Sequence, residues 1–136
     1  MSVILVAASN HQWLSMHALV DSGVALADVR LHVGGPFSWY LRAVRKSAIT
    51  IGNHIWFTNV EKRDDIALLA HELVHVAQYR ELGIPRFLAR YGWEMMRAGF
   101  RYSRRLPLEA PAYARQAQAK LVLAEQGPPG MPRVGI

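Results

Sequence analysis

The chain has 136 residues, 51% of them apolar and 19% charged, with a formal net charge of +6. That length suits one domain with a real core, and that composition excludes global disorder. With no cysteine, disulfides and thiolate metal sites are excluded, so any metal must be held by His, Asp or Glu.

The N-terminal "MSVILVAASNHQWL" lacks the basic start of a signal peptide. No stretch approaches the ~18 apolar residues of a membrane span. The expected address is the cytoplasm, with signal-independent export left open. Residues 10–22, "NHQWLSMHALVDS", read as a short helix capped by Asn10 and ended by Gly23. "DVRLHVGGP" follows as a strand that turns Val29, Leu31 and Val33 inward. "FSWYLRAVRKS" is expected to be helical. In "AITIGNHIWFT", Gly52-Asn53 between β-branched and aromatic residues signals a hairpin.

The next helix carries "AHELVHVAQYRELG", residues 70–83. Asp64 or Asp65 can cap its start, and Gly83 with Pro85 marks its end. A second helix is expected from about Pro85 to Tyr102, and a third from Leu108 or Glu109 to about Glu125, with Pro111 in its first turn. Mixed elements followed by three helices predict an α+β fold, a small sheet or hairpin packed on the motif helix. Residues 1–126 are expected to form one domain, and 127–136 a flexible Pro/Gly-rich tail.

Residues four apart on a helix share a face, so His71 and His75 can aim at one ion. On the helical wheel Ile66, Leu69, Leu73 and Ala77 gather on the opposite side. One face can then pack a core while the other opens on a cleft. Glu72 falls about 60° from His75, where a general base for a zinc-activated water belongs. Catalytic zinc usually takes three protein ligands. Glu109 is the best candidate for the third, since a helical hairpin can bring it back over the motif helix. The alternative is a satisfied structural histidine pair.

"AHELVHVAQ" resembles the motif helix of small gluzincin-like metallopeptidase domains found in effectors and core proteins of extracellular contractile injection systems. "DVRLHVGGP" and "AITIGNHIWF" resemble that family's first strand and hairpin, and "RLPLEAPAYARQ" its glutamate helix, so the likeness covers roughly residues 28–118. The resemblance implies one zinc ion per chain, held by His71, His75 and Glu109, with Glu72 as catalytic base and a peptide or protein as substrate. The chain departs from the family pattern at Pro111, where a second acidic residue is usual, and at Leu106, where an Asn is usual. By the same resemblance, His54, Ile55, Trp56, Phe57 and Thr58 form the strand on the cleft's rim that pairs with extended substrate. The bland alternative is an ordinary strand with Ile55 and Phe57 in the core. His54, Tyr79 and Tyr113 are candidate oxyanion donors, though each also suits a structural role.

Arg86, Arg90, Arg97, Arg101 and Arg104 fall within about 60° of one another on the second helix, with Leu88, Tyr91, Met95 and Tyr102 on the far side. This is either a solvated face or a docking surface for an acidic protein, a nucleic acid or an anionic membrane. His11, His17 and His32 stand alone, and Trp13, Trp39, Trp56 and Trp93 are expected in the core or at its rim. Three readings stay open: a zinc metallopeptidase, a catalytically silent zinc-stabilised interaction domain of a larger secretion or injection assembly, and a basic anionic-surface-binding module.

Overall fold

The computed structural model describes residues 3–20, 24, 28–35, 41 and 46–127. In chain order these form α1 (Val3–Met16), β1 (Arg30–Val33), β2 (Ala48–Ile51), β3 (His54–Phe57), α2 (Val60–Arg63), α3 (Ile66–Leu82), α4 (Ile84–Arg97) and α5 (Ala110–Gln126). The fold is α+β, as expected.

The hairpin forms where Gly52-Asn53 predicts it. Gly52 takes φ +62°, which glycine adopts without steric cost, and the Ile84 side chain lies 3.1 Å from where a Cβ would stand. β3 pairs antiparallel with β2 and parallel with β1, giving the order β1-β3-β2. Strand alternation sends Ile55 and Phe57 into the core and leaves His54 and Trp56 half-buried on the outer face. β3 is thus the central strand, with both edges already paired. The expectation that residues 54–58 form a rim open to substrate is corrected: its ladder groups are taken by β1 and β2.

α1 begins earlier than expected because the apolar, alanine-containing run from Val3 continues the helix through Asn10. Asn10 is therefore no cap. Its amide donates to the Asp64 carbonyl at 3.2 Å and ties α1 to the start of α3. The helix also stops early, through Ala18 at φ +57°, the left-handed position glycine usually fills. The expected stop at Gly23 lies outside the described residues, as do Trp39, most of the expected helix over 37–47, and the tail from 128. Within that helix Leu41 is buried. Val29 is buried, but Val33 is 41% exposed, so β1 turns inward less completely than its alternation implies.

α3 is the centre of the molecule. Asp65 caps it by accepting from the Leu68 amide at 3.1 Å, and Gly83 ends it at φ +82°. Ile66, Leu69 and Leu73 pack into the main core with Trp13, Leu14, Ile55 and Phe57. The opposite side is covered as well, because α5 lies along α3 while α4, β2 and α1 close the remaining sides. A helix buried all round needs no polar stripe.

α4 ends at Arg97, short of the expected Tyr102, because the chain turns through Gly99 at φ +68° and Phe100 at φ +61°. Arg101 and Arg104 therefore leave the predicted arginine stripe. The buried face of α4 is also rotated from the expected one. Phe87 and Glu94 are buried and Tyr91 is half-buried, whereas Leu88 and Tyr102 are exposed. Of the tryptophans, Trp13 is buried, Trp56 half-buried and Trp93 exposed, so Trp93 does not join the core.

Candidate metal centre

Two local facts build the site. The i, i+4 spacing stacks His71 and His75 on one face of α3, with ring centroids 5.0 Å apart. The turn between α4 and α5 then delivers Glu109, at the start of α5, to that face. Glu109 Oε1 lies 2.8 Å from His75 Nε2 and 3.4 Å from His71 Nε2. The three ligand atoms lie within 4.8 Å of one another, and the group can hold a metal ion.

Residues outside the predicted set hold each ligand. Gln78 donates to the Leu108 carbonyl at 3.0 Å, which turns its own carbonyl oxygen to His75 Nδ1 at 2.9 Å. Gln116 Oε1 sits 2.9 Å from His71 Nδ1. Both Nδ1 atoms therefore face acceptors and take the N–H role, leaving both Nε2 atoms aimed inward. Tyr91 donates to Glu109 Oε2 at 2.9 Å, and buried Glu94 accepts from the Leu108 amide at 2.9 Å, fixing the turn that carries Glu109. None of these four has a sequence signature of its own. Gln78, three residues after His75, does share a helix face with the ligand candidate it supports, and Gln116, seven after Glu109, shares a face with Glu109 while bonding across to His71.

Glu72 points the same way. Its Oε2 accepts from Thr50 of β2 at 2.5 Å, and its Oε1 lies 4.0 Å from His71 Nε2. The four central residues are 3–7% exposed. This corrects the expected open cleft. Tyr113 packs edge-on against His71, with centroids 4.5 Å apart, and its hydroxyl bonds to that of Tyr102. A surface depression lined by Asp28, Arg30, Asn53 and Arg80 shares no residue with the cluster.

Charge explains the pKa directions. Burial favours a neutral Glu109, but hydrogen bonds from His71 and His75 outweigh it and hold the carboxyl well below the usual range. Burial likewise opposes charge on His75. The Glu109 hydrogen bond and the Glu72 charge win, and its pKa is raised. When His75 is protonated, its Nε2 donates to Glu109 across the 2.8 Å contact.

The remaining predicted residues separate. Tyr113 touches the site. Tyr79 stacks on Phe87 at 3.8 Å, and burial, aided by the Glu72 charge, pushes its pKa to about 12. His54 lies on the outer sheet face, with its Nδ1 2.9 Å from His32 Nε2 and its ring stacked near Trp56. None of its described contacts reaches the cluster.

Against known families, the eCIS core domain matches residues 15–83, slightly over half of the chain. The chain belongs to the eCIS core domain family. The match spans the three strands and the motif helix with His71, Glu72 and His75. Glu109 lies beyond it, and the fold brings it beside His71 and His75 as a candidate third ligand. No curated protein and no solved structure matches the chain.

Proposed function

We propose that this eCIS core domain is a zinc-dependent metallopeptidase, with His71, His75 and Glu109 holding one zinc ion and Glu72 acting as general base. The observation that carries the reading is Glu72. A purely structural site has no use for a second buried carboxylate beside its ligands, yet Glu72 is buried and held in place by Thr50. The donor set fits zinc. Two imidazole nitrogens and a carboxylate oxygen are ordinary zinc donors, and His71, His75 and Glu109 would hold the ion with ligand atoms within 4.8 Å of one another. A bound metal would take the place of a proton at the 2.8 Å His75–Glu109 contact. Two carboxylates with two neutral imidazoles carry a charge of about −2, which a divalent ion would balance in a buried site.

When bound, zinc supplies Lewis acidity, lowering the pKa of a water and polarising a carbonyl. Glu72 Oε1, free of the Thr50 contact, would serve as the base that accepts a proton from a water and passes it to the leaving amine. Thr50 fixes the rotamer that makes this possible. Tyr113 is the oxyanion-donor candidate the fold brings against a ligand, through its ring on His71.

A second reading, a catalytically silent zinc-stabilised domain within an injection assembly, is favoured by the burial of the whole cluster. Zinc content and peptide cleavage separate the two. Protein purified without added metal is expected to carry about one zinc per chain, and a Glu109→Ala variant much less. Wild type is expected to cleave peptides, while Glu72→Gln keeps zinc and loses turnover. Zinc without cleavage in wild type supports the silent domain. Absence of zinc even after adding it back overturns both readings.

A further inference from the structure

The segment from Ile84 to Leu108 holds six arginines and one glutamate, a net +5 out of the chain's formal +6. The glutamate, Glu94, is buried and already accepts from Arg90 at 3.1 Å. Among the described residues, Arg86, Arg97 and Arg101 have no acidic partner. The positive charge of the molecule is thus gathered at one end of the fold and left unneutralised there.

The same segment exposes apolar side chains. Ile84 is 44% exposed, Leu88 50%, Trp93 57%, Met96 55% and Phe100 73%. At 3.6 residues per turn, Ile84, Leu88, Met96 and Trp93 spread over roughly half of the α4 circumference. Arg86, Arg90 and Arg97 form a band beside Trp93, and Phe87, Tyr91 and Glu94 make up the remaining, inward face. α4 is therefore divided lengthwise into an inward face, a basic band and an exposed apolar face, with Trp93 at the apolar–basic boundary. A solvated helix would have no such apolar face.

We propose that α4 and the turn through Phe100 form a docking surface for an anionic lipid bilayer, with the helix lying in the interface plane. Tryptophan, phenylalanine, leucine and methionine would enter the headgroup–acyl boundary, and the arginines would meet lipid phosphates. Charge complementarity selects this occupant. A second copy of the chain would oppose the same arginine band to itself, and a nucleic acid would leave the apolar half in water. Among the described residues no helix is long and apolar enough to cross a membrane, so the contact is peripheral. Tyr91, on the inward face of α4, bonds to Glu109. Docking therefore sets the metal-holding cluster about one helix diameter, ~10 Å, beneath the lipid surface. The inference stands on surface residues and is independent of any metal or peptidase activity.

The test is co-sedimentation of the full chain with phosphatidylcholine vesicles, with and without phosphatidylserine, at low and high salt. Binding is expected only with phosphatidylserine and at low salt. Arg86→Gln with Arg97→Gln should weaken it roughly fivefold per arginine, about 25-fold for the pair. Trp93→Glu with Met96→Glu should abolish it. All four positions are exposed, and circular dichroism checks that each variant folds. Lack of sedimentation with phosphatidylserine vesicles at low salt overturns the proposal. So does binding that neither variant pair weakens. A wild-type dimer that Trp93→Glu dissociates would assign the face to a second copy. DNA binding without vesicle binding would assign it to nucleic acid, and either result overturns the proposal.

Discussion

Replacing Gln116 with leucine tests whether the cluster is built to hold a metal or only to hold itself. Gln116 touches no ligand atom. Its carbonyl oxygen accepts from His71 Nδ1 at 2.9 Å, which keeps Nε2 directed at Glu109. Leucine is similar in size, so the packing of α5 on α3 is retained. In metal-free protein the cost is one unpaired, largely buried N–H, about 1–3 kcal/mol. In metal-bound protein the loss is larger, because the imidazole is free to change tautomer or turn. Removing such a supporting partner typically lowers metal affinity 10–100-fold, which is about 1.4–2.7 kcal/mol. Zinc should therefore stabilise the variant less than wild type by that amount at saturating metal. The assay is chemical denaturation of both proteins in chelator and in excess zinc, with affinity from competition against a chromophoric chelator. If Gln116→Leu binds zinc within twofold of wild type, the hydrogen bond does not orient His71 toward a metal and the reasoning fails.

Three further outcomes follow from the same geometry. Thr50→Val strips the donor from buried Glu72 Oε2. It should cost metal-free protein about 1–3 kcal/mol, read as a lower midpoint in denaturant, and slow any peptide cleavage more than it weakens zinc binding. Ala18→Gly relieves an exposed alanine at φ +57°, and should raise stability by up to about 1 kcal/mol, seen as a higher melting temperature; no change would mean the turn is unstrained. In chelator, stability should depend on pH on both sides. Glu109, depressed in the fold, contributes above its unfolded pKa of about 4.3, and that contribution is lost as pH falls through its folded value. His75, raised in the fold, contributes fully below its unfolded pKa of about 6.5, and that contribution is lost as pH rises through its folded value. The cluster should therefore stabilise metal-free protein most between about pH 4.5 and 6.5, and Glu109→Gln should flatten both limbs in a denaturation series.

What was legible in the sequence was local. The hairpin at Gly52-Asn53, the cap at Asp65, the stop at Gly83 and the shared face of His71 and His75 each depend on residues within a turn or two, where backbone geometry leaves few choices. Glu109 was legible because a helical hairpin limits where the next helix can return. Features set by tertiary partners were misread. Asn10 has the chemistry of a cap, yet its amide is used by the Asp64 carbonyl from far along the chain. β3 is a strand as expected, but pairing, which no local pattern specifies, makes it central and removes the free edge assigned to it.

The misread cleft follows from the same limit. The wheel placed the histidines opposite Leu69 and Leu73, and a polar face on a helix ordinarily looks to solvent. Here that face is polar because it is a site, and it is buried because α5 returns over it with Gln116 and Tyr113. The residues that cover it also orient it. Gln78 and Gln116 set the two tautomers, Tyr91 and the Glu94-held turn set the carboxylate, and Thr50 sets Glu72. Each of these five side chains belongs to an ordinary helix or strand position, and only the return of the chain gives it a role. A buried cluster with two carboxylates would be costly unless every polar atom were matched. The density of these supporting bonds is therefore what allows a closed site to exist at the centre of so small a domain.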